Sequence, residues 1–187
     1  MSVISLQNTL ERLATLVRGD MRQALLPFGL QPVQFEALYY LTKCNRYSDT
    51  AMAVTEYLGQ TKGTVSQSLK VLEREGLIKK ISDKADKRVS HLSVTAKGQR
   101  IIDKVIPSLV LSQGCEQLTK QQQTDVENKL IQLLTSIQAG NNFRSFGQCT
   151  TCIHNRKTSD GFLCGLTQET LSIDDTLLIC REHELSA

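Results

Sequence analysis

The residues best suited to chemistry lie toward the C-terminal end of the chain. Cys149, Cys152, Cys164 and Cys180, four of the six cysteines, stand in the spacing Cys-x2-Cys-x11-Cys-x15-Cys. A Cys-x2-Cys turn lets two thiolates point at one centre, and two distant cysteines can complete four-coordination. Three chemistries share that donor set. A structural zinc ion takes four thiolates, but zinc ribbons and knuckles usually supply a second close pair, and here Cys164 and Cys180 stand alone. An iron–sulfur cluster accepts ligands arriving from separate loops, which suits this spacing. A thiol/disulfide switch requires no metal. His154 and His183, two of the three histidines, fall in the same segment, and either could replace a cysteine, as imidazole does in some zinc sites and clusters. Arg156, Lys157 and Arg181 lie beside the candidate ligands, where they could offset thiolate charge and lower the thiol pKa values, or serve simply as solvated surface charge. Cys44 and Cys115 lie alone in helical surroundings and read as small buried apolar residues.

Segment 141–187 cannot hold such a site unaided. Its large apolar residues, among them Phe143, Phe146, Phe162, Leu171 and Ile179, are enough to pack one short helix and a loop against something else. A metal or covalent staple would supply the missing order. The host must be residues 1–140, a length that suits one compact domain. The first residues, MSVISLQNTLERL, lack a basic start, an apolar block and a small-residue cleavage site, and no uncharged apolar run is long enough to span a bilayer. A soluble, cytoplasmic chain without membrane contact is expected, and in a reducing compartment clustered cysteines point to metal or redox chemistry. No phosphate-binding glycine loop and no Ser, His and acid grouping suggests an enzyme.

The host carries its own signals. Residues 61–100 hold ten Lys and Arg against four Asp and Glu, a local +6 in a chain whose net charge is +3. Leu6, Leu10, Leu13, Val17 and Leu25 recur at helical spacing, so a long amphipathic helix is predicted from residue 3 to about 26, stopped near Pro27 and Gly29. Pro32 opens a second helix, and Asp49 or Thr50 can cap a third that Gly59 ends. In "TKGTVSQSLKVLEREG", Val65, Leu69 and Leu72 face inward, leaving Lys62, Ser66, Gln67, Lys70 and Arg74 outside. Two short helices joined by a tight turn, the second with small polar and basic groups outward, match the needs of a helix-turn-helix reading the major groove.

"LIKKISDKADKRVSHLSVT" then predicts a two-stranded hairpin with Lys84, Lys87 and Arg88 at its tip, a candidate wing. Asp83 and Asp86 make sense there if a carboxylate holds the Arg88 guanidinium ready for the narrow minor groove. Thr95 can cap a helix that carries Ile101, Ile102, Val105, Ile106 and Leu109 with a kink at Pro107, and a last helix runs from about Thr119 to Gly140. The first and last helices have no partner within a compact winged unit, so a homodimer is expected, its two recognition helices about one helical turn of DNA apart.

From Leu30 to Gly98 the chain resembles the MarR family of winged-helix transcriptional regulators, through "LQPVQFEALYYL", "TKGTVSQSLKVLEREGLIKK" and above all the wing and exit "DKADKRVSHLSVTAKG". With the flanking helices the resemblance reaches over residues 5–139. It implies a mainly α fold with a small antiparallel β-hairpin wing, in which 30–98 form the winged helix and 3–28 and 95–139 the dimerisation helices. It also implies a dimer bound to palindromic double-stranded operator DNA, usually as a repressor released by a small-molecule effector or by cysteine oxidation. Residue by residue, it places Thr64, Ser66, Gln67 and Lys70 in the major groove, Arg88 in the minor groove, and Asp86 as the brace of the wing. The extension from Asn141 departs from the family's usual end.

The expected function is therefore a DNA-binding regulator whose affinity responds to a C-terminal iron–sulfur, metal or redox site, through ordering of the tail against the dimerisation helices. Two alternatives stand beside it: a ligand-controlled regulator with a purely structural zinc tail, and a redox or electron-transfer protein that uses the winged unit for protein contacts.

Overall fold

The structure, a computed structural model, describes residues 2–84, 86–140, 144–159 and 161–185. Asn141 and Phe143, which the sequence reading assigns to the start of the tail, lie outside the described residues. Helix α1 (Val3–Leu25) starts at a Ser2 cap and leads through a 3-10 turn to Gly29, whose φ of 62° completes the reversal. Helix α2 (Pro32–Lys43) begins with a capping box between Gln31 and Gln34. Helix α3 (Ala51–Leu58) is capped by Thr50, whose hydroxyl accepts from the Ala53 N–H, and Gly59 ends it with a left-handed φ of 60°. Helix α4 (Lys62–Arg74) follows, capped by Thr61.

Strands β1 (Ile78–Ser82) and β2 (Ser90–Val94) pair antiparallel, with Ile78 opposite Val94 and Ser82 opposite Ser90. Helix α5 (Ala96–Val105) starts at Thr95, whose hydroxyl accepts from the Gly98 N–H and donates to the Gly76 carbonyl 2.8 Å away. Gly98 explains the glycine of the exit motif. A Cβ there would be driven into the Leu77 carbonyl and lie 2.9 Å from Val94 Cγ1, so only hydrogen lets the helix close on the hairpin. Leu25, Phe35, Leu38, Tyr40, Val54, Val65, Leu72, Leu77 and Ile102 fill a single core shared by these elements.

Beyond α5 the chain departs from the expected kinked helix. Helix α5 ends at Val105 and a separate helix α6 (Leu109–Glu116) starts at a Ser108 cap, because Pro107 has no N–H to continue the ladder. Ser108 also donates to Asp20 Oδ2 at 2.6 Å, tying α6 to α1. Helix α7 (Lys120–Gly140) has no buried residue; Val126, Leu130, Ile131 and Leu134 are exposed, as are Leu13 and Leu16 of α1 and Leu109 to Leu111 of α6. No helix among the described residues is long and apolar enough to cross a membrane.

The tail holds more regular structure than one helix and a loop. Strands β3 (Asn155–Thr158), β4 (Gly161–Cys164) and β5 (Thr170–Leu171) form an antiparallel sheet in that order, followed by the single turn α8 (Ile173–Thr176).

Candidate nucleic-acid interface and cysteine site

On α4 the inward positions Val65, Ser68, Leu69 and Leu72 are buried, which turns Lys62, Thr64, Ser66, Gln67, Lys70 and Arg74 outward. A cleft of about 550 Å³ separates this helix from the hairpin; Lys62, Ser66, Lys70 and Arg88 line it together with Thr55 and Lys80. Thr64 and Gln67 lie outside the cleft on exposed turns of α4, and Arg74 pairs with its neighbour Glu75 at 3.1 Å. Thr55 and Lys80 were not expected in the interface; nothing short of the fold brings α3 and β1 to that cleft.

At the hairpin tip Lys84 and Lys87 are exposed, and the Arg88 side chain is 90% exposed. Asp86 grips Arg88 from Nε at 2.9 Å and Nη2 at 2.8 Å while accepting from the Arg88 backbone N–H at 3.0 Å. These contacts hold the Asp86 carboxyl below its ordinary range and the guanidinium above its own. An exposed arginine held this way loses less rotamer freedom on entering a groove. The loop end of the hairpin is fixed from the winged core. His91 lies between Asp49 (Nδ1 to Oδ1, 2.6 Å) and Asp83 (Nε2 to Oδ2, 3.2 Å), and the hydrogen bond to Asp49 raises its pKa above the ordinary value.

All four tail cysteines line one small, mainly apolar cavity of about 30 Å³. Cys149 opens the short turn Cys149–Thr151 and Cys152 closes it, its N–H donating to the Cys149 carbonyl at 3.1 Å. Cys164 ends β4 opposite Asn155, and the Cys180 N–H donates to the Gly147 carbonyl at 2.9 Å. Cys149 and Cys180 interact directly. Their hydrogen bond, followed by burial, raises Cys149 far above an ordinary thiol. The same bond, against burial and with help from Asn45, the Glu182 backbone N–H and Ser48, holds Cys180 down to about 6. All six cysteines are free; Cys44 is buried as expected, whereas Cys115 is only half-buried. Among the described residues no three His, Cys, Asp or Glu side chains are grouped so as to hold a metal ion.

The other proposed donors separate cleanly. His183 is not available as a ligand, because Nδ1 is 2.6 Å from Ser145 Oγ and Nε2 is 2.9 Å from Thr151 Oγ1. It packs so closely over Gly147 that a Cβ there would lie 2.6 Å from its ring. His154 lines the cysteine cavity, and its buried Nε2 makes no hydrogen bond, the Glu184 carboxylate standing 3.5 Å away. Arg156 and Lys157 are exposed on β3. Arg181 turns from the sulfurs to carboxylates, donating to both oxygens of Glu56 at 2.7 Å and to Glu182 at 2.6 Å.

The tail, expected from sequence to order against the dimerisation helices, touches α7 where Gln138 donates to the Ser145 carbonyl at 3.0 Å, but docks mainly on α2, α3 and the junction between them. The Ile179 N–H donates to the Lys43 carbonyl at 2.7 Å and its carbonyl accepts from Asn45 at 2.9 Å. Phe146 wedges against Tyr57 and Tyr40, with ring centroids 5.3 and 6.2 Å away, from a left-handed φ of 45° that a bulky residue adopts only when its packing compels it. Tyr47 and Arg46 hold Glu169, and Arg144 joins Arg181 on Glu56 at 3.2 Å. Asn45, Ser48 and Glu56 therefore belong to the surroundings of the site although the sequence reading passed over them. The polar run "CNRYSD", longer than a plain turn needs, was the only trace of Asn45 and Ser48, and Glu56 left none.

Fold and interface together define a winged helix-turn-helix protein with an added cysteine module. The MarR family's sequence model matches residues 28–89. A curated relative, the uncharacterized HTH-type transcriptional regulator YsmB of Bacillus subtilis, is 24% identical over 104 residues, covering 56% of this chain and 70% of its own. A MarR family protein from Bacillus stearothermophilus shares the fold with a TM-score of 0.61 at 23% identity, over 72% of this chain and 94% of that one. The S. aureus MepR–DNA complex does so with a TM-score of 0.58 at 22% identity, over 73% of this chain and 98% of that one.

Proposed function

We propose that this chain is a MarR-type transcriptional regulator that binds palindromic double-stranded DNA as a homodimer, and whose DNA affinity is set by the state of the C-terminal cysteine site. The observation that carries the DNA-binding reading is the pairing of an outward polar and basic face on α4 with an exposed Arg88 held by Asp86 across one cleft. A helix of this kind enters a major groove while a braced arginine reaches the adjoining minor groove. MepR is solved bound to DNA with the same fold, which supports the docking mode. The exposed apolar rows of α1, α6 and α7 support the dimer, since a lone chain gains nothing by leaving them in water.

The donor set of the cysteine cavity supports a thiolate-held group as the reading of this site, although among the described residues no metal-holding group is formed. Four sulfurs line it, and the His154 imidazole presents a buried nitrogen without a hydrogen bond. A single zinc ion needs its sulfurs on one point at about 2.3 Å. An iron–sulfur cluster accepts ligands from separate loops, and Cys149 with Cys152, Cys164 and Cys180 come to the cavity from three such segments. Cys149, Cys152, Cys164 and Cys180 would hold it, and when bound it would supply one-electron redox chemistry and sensitivity to oxidants. The chain's own contribution is to exclude water from the sulfurs and to donate N–H groups to Cys180.

Two measurements test this. DNA affinity of the full chain should fall at least tenfold between 50 and 200 mM salt, as counterion release from several phosphates requires; a salt-independent or absent interaction sinks the DNA reading in favour of a protein-contact module. Iron, zinc and acid-labile sulfide are assayed on protein purified without oxygen. Iron with sulfide supports the cluster, stoichiometric zinc alone makes the tail a structural staple, and neither moves the chemistry to thiol oxidation.

A further inference from the structure

We propose that the α2–α3 junction, residues 44–50, carries the state of the cysteine site to the DNA-binding surface within a single protomer; this rests on the reading that the site governs affinity. The junction is part of the site's wall. Asn45 and Tyr47 line the cysteine cavity beside Cys180. Asn45 is 3% exposed, and its side-chain carbonyl accepts from the Tyr47 N–H at 3.2 Å and the Ser48 hydroxyl at 2.7 Å. That pairing fixes which way the amide lies, in the wall that Asn45 shares with Cys180. Ser48, fully buried, accepts from the Arg181 N–H at 2.8 Å, so the residue after Cys180 is pinned to the junction by main chain and side chain at once.

From the junction two rigid links run outward. One is Arg181 on Glu56, a two-pronged pair 2.7 Å long that anchors the tail to α3, the helix that packs α4 in place. The other starts at Asp49, whose carbonyl accepts from the Leu92 N–H at 2.8 Å and whose carboxylate holds His91, while Thr50 bridges to the same strand. A change in how far the sulfurs stand apart moves Cys180, and with it both the recognition helix and the hairpin.

The test uses the full chain, metal-free and after anaerobic reconstitution with ferrous iron and sulfide, with Zn2+ alone in parallel. DNA affinity of the wild type should differ at least fivefold between loaded and metal-free forms, and amide exchange at residues 44–58 should change on loading. Glu56→Ala should take up the same metal and bind DNA as the metal-free wild type does, yet lose at least two thirds of the loaded-to-unloaded ratio. A Glu56→Ala chain that keeps the full ratio overturns the route and leaves the site's control of affinity standing. Should that variant fail to fold, exchange in the wild type decides: changes confined to the tail, or reaching α1 and α7 but not 44–58, overturn the route. A wild type that takes up neither metal, or binds DNA equally well loaded and empty, overturns the regulatory reading and the route with it.

Discussion

The winged unit and the tail are held together by different physics. Residues 30–105 enclose a core of Leu, Val, Ile, Phe and Tyr in which the apolar side chains of α2 to α5 and the hairpin all meet. The tail offers that core little more than Phe146 and Ile179, and several of its own apolar residues, Ile153, Leu166, Ile173 and Leu177, remain exposed. What fixes it is polar: the Glu56 pairs, Glu169 held by Arg46 and Tyr47, the buried Asn45–Ser48 knot, and His183 locked between Ser145 and Thr151. A core driven by area tolerates changes of solvent and redox state; a polar mount around free sulfurs does not. The molecule thus joins a part that must stay constant to a part that is able to respond.

The sharpest way to break that contrast is Cys152→Ser. It should abolish loading of the site and any response to it while leaving the helical signal and DNA binding of the metal-free chain intact; elemental analysis, circular dichroism and a binding titration decide, and an unchanged response refutes the switch. Gly98→Ala should do the reverse, lowering the unfolding free energy of the winged unit by about 2–3 kcal/mol in a denaturant titration because the methyl group meets backbone that cannot yield. Phe146→Ala should cost about 2 kcal/mol or less, since relief of its strained φ offsets part of the lost packing, and should expose the tail to limited proteolysis before the rest of the chain. Arg88→Ala should weaken DNA binding roughly tenfold to a hundredfold with no change in thermal stability, read by fluorescence anisotropy.

The smallest effect is a pH dependence near the loop end of the hairpin. His91 has a folded pKa above its unfolded value because Asp49 and Asp83 favour its charged form. Its contribution is fully present below the unfolded value, near 6.5, and fades as pH rises through the folded pKa. Thermal melts across pH 6 to 9 should show a modest decline that His91→Gln removes; identical profiles for both chains would assign the trend elsewhere.

Sequence and structure agree where a short-range rule applies. The caps at Thr50 and Thr95, the helix stops at Gly29 and Gly59, and the pairing of Asp86 with Arg88 two residues away all follow from neighbours along the chain. Spacing pointed to a shared centre for the four cysteines; they do line one cavity, but among the described residues they form no group that could hold a metal ion. The helix break at Pro107 was softened into a kink because a proline says only that the ladder stops, not how the chain resumes. Where the tail docks was not legible at all. Glu56 and Arg181 are 125 residues apart, and nothing local marks either as the other's partner. His183 misled for a related reason, its two nitrogens being taken by hydroxyls that only the fold brings near.

The attachment of the tail to its own α2–α3 junction has a consequence for a symmetric dimer. On the proposed route each recognition helix would be governed by the sulfurs of the same chain, so a dimer loaded at one site would be a hybrid, with one arm set for DNA and one not. Two arms on one operator multiply their effects through local concentration. Occupancy of the cysteine site would then be read in two steps, and gene output would report the history of each subunit, not only the average state of the pool.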